Sequence, residues 1–334
     1  MNNLVWRYFG SSFLVSLLGI ILVFVLTQQW NAVYLTLVLS FLELSLSFDN
    51  AVVNAKMLQH MSPQWQKRFV WWGILIAVVG MRLIFPILLV YASTAQTLGH
   101  VIYSALYEPK EYAQALEAGY PLISAFGGSF LLMVFFHFLL NAHRSVIWLS
   151  WIEQNRLITR LSKYWWMPLL LTAIIGIFFC WMEPGVAIVG AYLAGMIIYE
   201  GLHHLSAKMM HNAMHVTANA AKVGLIGFIY LEVLDASFSF DGVIAAFAIS
   251  TDIVVIMVGL GVGALFVRSL TIYFVERKTL AKLVYLEHGA YYAIGCLAVI
   301  MLLKNFLHIP EWISGSVGLL LIAIALIASL QEAA

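Results

Sequence analysis

Two short acidic stretches carry most of the chemistry available to this sequence. The first reads Glu43-Leu-Ser45-Leu-Ser47-Phe48-Asp49-Asn50, and the second Asp235-Ala-Ser237-Phe-Ser239-Phe240-Asp241-Gly242. Aligned on Asp49 and Asp241, they agree acid for acid, serine for serine and phenylalanine for phenylalanine. Carboxylate, amide and hydroxyl oxygens suit hard divalent ions such as Mn²⁺, Mg²⁺ or Ca²⁺. Neither stretch holds sulfur or imidazole, which disfavours copper and zinc. On an ideal helix Glu43, Ser47, Asn50 and Asn54 fall on one stripe within about 60°, as do Glu232, Asp235, Ser239 and Gly242. Asp49 and Asp241 point about 120° away from these stripes. Two arrangements remain open. Each helix presents a broad polar wedge, or it breaks near the Phe-Asp pair so that both acids converge beside free backbone carbonyls.

The surroundings of these acids sharpen the expectation. A lone carboxylate at the bilayer centre costs about 2.5–3.5 kcal/mol on insertion scales. Glu43, Asp49, Glu232, Asp235 and Asp241 face only two bases inside apolar runs, Arg82 and Arg268. Full pairing leaves carboxylates over, which are then protonated, hydrated or neutralised by a cation. The expected metal ligands are Glu43, Asp49, Asn50, Asp235 and Asp241. Around them Ser45, Ser47, Glu232, Ser237, Ser239, Arg82 and Arg268 are candidates for supporting or gating roles. The plainer alternative has the arginines orienting helices through buried salt bridges, and the serines serving close helix packing. A second cluster follows His203, where His204, His211 and His215 share a helical face beside Met210 and Met214. It is a candidate inner-side metal site, set against an interfacial helix with solvated histidines.

The elements that position these residues are membrane spans. Of 334 residues, 63% are hydrophobic and 10% charged, against roughly 25% charged in soluble domains. That excess faces lipid. Runs of about 20 apolar residues cross a core about 30 Å thick. Ten such runs predict an all-α polytopic membrane protein, at about 11–28, 32–56, 69–93, 119–140, 166–182, 185–202, 223–249, 252–274, 284–304 and 312–330. The first has no small-residue cleavage site after it and reads as a retained helix, not a signal peptide. Two longer connections stand out. That at 94–118 is acidic, and that at 141–165 mixes Trp148, Trp151, Trp165 and Trp166 with Arg144, Arg156, Arg160 and Lys163, which predicts a helix lying at the membrane surface. Cys180 and Cys296 lie in apolar runs without metal or disulfide spacing and read as packing residues.

Basic residues orient the chain. With the amino terminus inside, inner segments hold thirteen lysines and arginines and outer loops only Lys110 and Lys304. This predicts cytoplasmic termini in a plasma membrane, the inner membrane of a bacterium. The second run then descends while the seventh ascends, and each is followed by an arginine-bearing run and a third apolar run. The chain therefore reads as an inverted repeat, the arrangement that places binding sites at the midplane of many transporters. Expected divisions are a first helix at 1–31, one three-helix repeat at 32–140, and a central part at 141–222 with the surface helix, two spans and the histidines. The second repeat follows at 223–305 and a last helix at 306–334.

The acidic stretches, continued as Asn50-Ala-Val-Val and Gly242-Val-Ile-Ala-Ala-Phe-Ala-Ile-Ser250, resemble the TerC family of integral membrane proteins within the LysE-like exporters. Gly263-Ala-Leu-Phe-Val-Arg268-Ser-Leu and Tyr285-Leu-Glu-His-Gly289 are similar to that family's second-half helices. The resemblance covers about 32–140 and 223–305. It implies efflux of divalent metal, chiefly manganese, through the motif acids, and an association with tellurite resistance. Gly242 departs from the Asp-Ser usual in the family's second motif and removes a hydroxyl. The leading expectation is thus a secondary transporter that exports a hard divalent cation, with no resident cofactor. A second is a non-transporting membrane scaffold in a metal or tellurite stress complex, for which Ala187, Ala191 and Gly195 on the run 185–202 offer a face to a partner or a second copy. An enzyme is not expected. His211-Asn-Ala-Met-His215 with His203-His204 falls short of a di-iron oxidase's boxes, and Gly127-Gly-Ser129 lacks a histidine partner. No basic patch speaks for nucleic acid.

Overall fold

The computed structural model describes residues 2–59, 61–94, 96–142, 144, 146–213, 220–250, 252–277 and 283–332. The side chains of 206–213, 220–223 and Asp241 are among those outside the described set. Among the described residues there are helices and no strands. The long elements are α1 (Asn2–Thr27), α2 (Trp30–Leu46), α3 (Phe48–Leu58), and α4 (Pro63–Leu75) running through a π-helical stretch (Ile76–Ile84) into α5 (Phe85–Ser93). The connection at 94–118 forms α6 (Leu98–Tyr107) and α7 (Pro109–Ala118), ahead of α8 (Tyr120–Leu139). After two short helices, α9 (Ser150–Glu153) and α10 (Arg156–Leu161), come α11 (Met167–Met182), α12 (Val186–Ala213), α13 (Ala220–Ile249), α14 (Ile253–Arg277), α15 (Leu286–Leu303) and α16 (Glu311–Glu332).

All ten expected apolar runs lie on helices, but fewer have the length and apolarity of a span. Five do: Val5–Thr27, Tyr120–Leu139, Val186–Leu205, Ile253–Arg277 and Leu286–Leu303, with the bent pair α2–α3 as a sixth. The shortfall has physical causes. α11 has 16 residues, short of the roughly 20 that cross a bilayer. α13 is long enough at 30 residues, but Glu232, Asp235 and Asp241 lie in it. The helix carrying Arg82 is divided by its π-helical stretch. Pro86 has no amide to give Arg82's carbonyl, and just upstream the ladder widens, with Phe85 N bonding Gly80 O. The surface helix expected at 141–165 is also not one helix. It is two short ones, of four and six residues.

Packing sorts the helices by exposure. α1 is only 17% buried in its apolar window and leans on α14 and α2. α8 is 67% buried and packs between α12, α13 and α15. Glycine allows the closest approach there: a Cβ on Gly195 of α12 would overlap Ser129 Oγ and the Phe126 carbonyl of α8. The small-residue face expected to serve a partner is therefore occupied at Gly195 by α8. The acid-bearing helices pack together, with α2 and α3 against α13 and α14, and the π-helical stretch against both of the latter.

Candidate functional site

The first motif is split by a break. α2 ends at Leu46, α3 begins at Phe48, and the axis turns by 51° at Ser47. Ser47 leaves helical geometry at φ −107°, ψ 14°. Asp49 thus falls in the first turn of a helix, where carboxylates are favoured, and its Oδ1 accepts the Asn50 amide at 3.0 Å. The break turns Asp49 inward together with the stripe: Glu43, Ser47, Asp49, Asn50 and Asn54 are all buried. Of the two arrangements the sequence left open, the first half adopts the broken one. The second does not, because α13 runs unbroken past Asp235 and through Gly242.

Two arginine clusters flank this joint. Arg82 pairs with Glu43 Oε1, and Ser47 Oγ donates to the same oxygen at 3.1 Å. Glycines from two helices wall the carboxylate. A Cβ on Gly242 would stand 2.8 Å from Glu43 Oε2, and one on Gly263 of α14 2.5 Å from Glu43 Cβ. In the second cluster Arg268 Nη2 lies 3.1 Å from Asp235 Oδ2, 3.3 Å from Glu232 Oε1 and 3.1 Å from the Gly73 carbonyl. Its guanidinium also covers the Phe69 ring at 3.9 Å, a cation–π contact strengthened by desolvation.

The clusters join at Asn50, whose Nδ2 donates to Asp235 Oδ1 at 2.8 Å. In the motif alignment Asp235 stands where Glu43 does, and Gly242 where Asn50 does. The contacts Glu43–Gly242 and Asn50–Asp235 are therefore exchanged when the two motifs are exchanged. They also run antiparallel, so Asn54 lies one turn beyond Asn50, toward the Glu232 end of α13.

Several buried oxygens in this region have no hydrogen-bond partner among the described residues: Asn50 Oδ1, Asn54 Oδ1, Glu232 Oε2 and Ser239 Oγ. Each such group costs about 1–3 kcal/mol relative to being satisfied, and buried polar groups are nearly always paired. Ser45 and Ser237 take no part, since each hydroxyl donates to the carbonyl four residues back in its own helix, at 2.8 and 2.9 Å. The Asp241 side chain lies outside the described residues. Among the described residues, no three His, Cys, Asp or Glu side chains stand in an arrangement that could hold a metal ion. The carboxylates nearest to one another are instead held by the arginines.

The histidines form a separate group. His204 Nε2 lies 2.8 Å from Glu200 Oε1, and His137 Nε2 3.3 Å from Glu200 Oε2, with the His203 ring 4.4 Å from that of His137. His215 and the His211 side chain lie outside the described residues, so the expected trio is represented by His204 alone.

Sequence reasoning missed Phe69, Gly73 and Gly263, which shape the two arginine clusters. The signal for the first two was their spacing of four residues on one helix face, and for Gly263 its place one residue over a turn before Arg268. Asn54 was on the polar stripe but outside the expected ligand set.

A family model described as "Protein of unknown function (DUF475)" matches residues 48–334. No curated protein and no solved structure matches the chain.

Proposed function

We propose that this chain, which belongs to the DUF475 family, is a secondary transporter that exports a hard divalent cation of the Mn²⁺ kind. The site lies where α3 meets α13. The observation that carries the reading is the set of unpartnered buried oxygens around the Asn50–Asp235 contact. They are amide, carboxylate and hydroxyl oxygens, the donors hard cations take. Charge agrees with them: this region holds four described acids, Glu43, Asp49, Glu232 and Asp235, against two arginines, Arg82 and Arg268, leaving two negative charges to neutralise.

In this reading the substrate ion draws Asp235 and Glu232 away from Arg268 and gains Asn50 Oδ1, Asn54 Oδ1 and Ser239 Oγ. Asp49, beside the break, supplies a further carboxylate, and Asp241 completes the ligand set expected from the sequence. Arg268 reclaims the acids when the ion leaves, so the site is never left with bare carboxylates in an apolar surround. Exchange of the two motifs exchanges their contacts, which supports an inverted repeat whose halves present the site to either side in turn. The positive-inside bias supports cytoplasmic termini, and the resemblance to the TerC family supports manganese. Counter-transport of protons follows if the surplus carboxylates take up protons as the ion departs. Transport indifferent to a pH gradient would remove that part.

The test is Mn²⁺ flux into proteoliposomes by wild type, Asp49→Asn and Asp235→Asn, each first shown to be folded and inserted. Wild-type flux that falls at least about tenfold in both variants, equivalent to about 1.4 kcal/mol, is the expected result. Absence of flux in folded wild type, with Mg²⁺ and Ca²⁺ also silent under a pH gradient, would refute the transport reading.

A further inference from the structure

The segment between α8 and α11 is unlike the rest of the surface. It leaves a membrane-length helix at Leu139 and enters an apolar one at Met167, so its level is that of the headgroups. Trp151 and Trp165 are 74% and 72% exposed, and Leu157 is 62% exposed, the aromatic and apolar edge expected at a membrane–water boundary. Interleaved with them are Arg144, Arg156, Arg160 and Lys163.

One acid pins this strap down. The Glu153 side chain is 2% exposed. It accepts the Tyr292 hydroxyl at 3.0 Å and the Trp148 amide at 3.2 Å, and stands 3.2 Å from Arg144 Nη1 and 3.7 Å from His288 Nε2. Arg144 thus neutralises Glu153, yet its buried Nη1 has no aligned acceptor among the described residues. Arg156, Arg160 and Lys163 form no ion pair among the described residues. Beneath the strap lies a cavity of about 240 Å³ lined by Asn141, Arg144, Thr159, Ser162 and Lys163, with Glu153 at its wall. The Thr159 and Ser162 hydroxyls donate to the Asn155 and Thr159 carbonyls, so the charged donors at the cavity are the Arg144 guanidinium and the Lys163 ammonium, a pair that suits an oxyanion.

We infer that this strap binds an anionic phospholipid, its phosphate in the cavity between Arg144 and Lys163 and its chains beside Trp151 and Trp165. The inference is independent of the transport reading. A free phosphate would satisfy the same donors but would leave the exposed tryptophans and Leu157 without a role. A lipid uses both, and basic pockets beside membrane helices are suited to anionic headgroups.

The test is thermal unfolding of the full chain in detergent micelles, with phosphatidylglycerol, phosphatidylcholine or inorganic phosphate added. Phosphatidylglycerol raises the midpoint of wild type by roughly 3–5 °C over phosphatidylcholine. The double variant Arg160→Gln/Lys163→Gln loses most of that rise. Its own midpoint in phosphatidylcholine equals wild type's, because neither side chain has a partner among the described residues to lose. Equal midpoints of wild type in the two lipids would overturn the inference. So would a full rise in the variant, and so would inorganic phosphate reproducing the rise, which would assign the cavity to a soluble anion.

Discussion

The two halves of the acidic centre start from motifs identical at four of eight positions, with an acid at the head of each, and end differently. In the first, one carboxylate meets one guanidinium, in a slot walled by Gly242 and Gly263, with both side chains 2–3% exposed. Ser47 donates to the same carboxylate oxygen as Arg82. In the second, one guanidinium is shared between two carboxylates that are 11% and 14% exposed, and Glu232 Oε2 and Ser239 Oγ have no partner among the described residues. A one-to-one pair without room is a lock. In the transport reading proposed above, a cluster with surplus acid, spare oxygens and some access is where the ion enters and leaves. The repeated motif therefore does not make two equal sites, and the helix break in one copy but not the other is part of that division.

The largest effect should come from attacking the lock. Arg82→Gln leaves Glu43 buried and unpaired, a change that costs about 3–5 kcal/mol. Glu232→Gln leaves Arg268 with Asp235, the Gly73 carbonyl and the Phe69 face, and should cost within about 1 kcal/mol. Side-by-side thermal unfolding of the two variants in nanodiscs measures the contrast. Equal losses would abolish the distinction between lock and site.

A middle-sized effect is expected at Gly242. Its missing Cβ is what leaves room for Glu43 Oε2, so the glycine that departs from the TerC-like pattern belongs to the lock. Gly242→Ser should overpack the slot at a cost of about 1–3 kcal/mol, read as a lowered unfolding midpoint. If serine there leaves the midpoint unchanged and instead raises Mn²⁺ affinity, the hydroxyl joins the ion site and the boundary drawn between the halves moves.

What the sequence disclosed follows from which forces are local. Hydropathy is a property of each run, so all ten runs became helices. Rarity of charge in apolar surroundings marked Glu43, Asp49, Glu232, Asp235, Arg82 and Arg268; Glu43 meets Arg82, and Glu232 and Asp235 meet Arg268, while Asp49 accepts only the Asn50 amide among the described contacts. The pairing scheme was not legible, because it depends on which helices touch: Arg82 went to Glu43 and not to Asp49, and Arg268 took Glu232 as well as Asp235. The break at Ser47 was left as one of two options for the same reason. Both motifs carry Ser-Phe-Asp, and local sequence cannot say that only the first will bend. Nor could the tryptophan-rich segment be seen to hang on Glu153, although a single acid among aromatic residues was a signal that it had a buried partner.

The smallest change asked of the protein separates a structural hydroxyl from a ligand. Ser47 and Ser239 both lie buried on the motif stripes, but Ser47 Oγ bonds Glu43 while Ser239 Oγ bonds nothing among the described residues. Removing a satisfied hydroxyl costs about 0.5–1.5 kcal/mol, whereas removing an unsatisfied one is nearly neutral or stabilising. Ser47→Ala should therefore lower the unfolding midpoint with little change in the Mn²⁺ concentration that gives half-maximal flux. Ser239→Ala should do the reverse, holding or raising the midpoint while raising that concentration about threefold to tenfold, a loss of about 0.7–1.4 kcal/mol of binding. A hydroxyl kept unsatisfied in the absence of the ion is stability given up for binding, and only the paired measurement reads both sides of that exchange. Should Ser239→Ala lower stability and leave transport untouched, Ser239 is a packing residue and the ion lies nearer Asp49 and Asn50 than proposed.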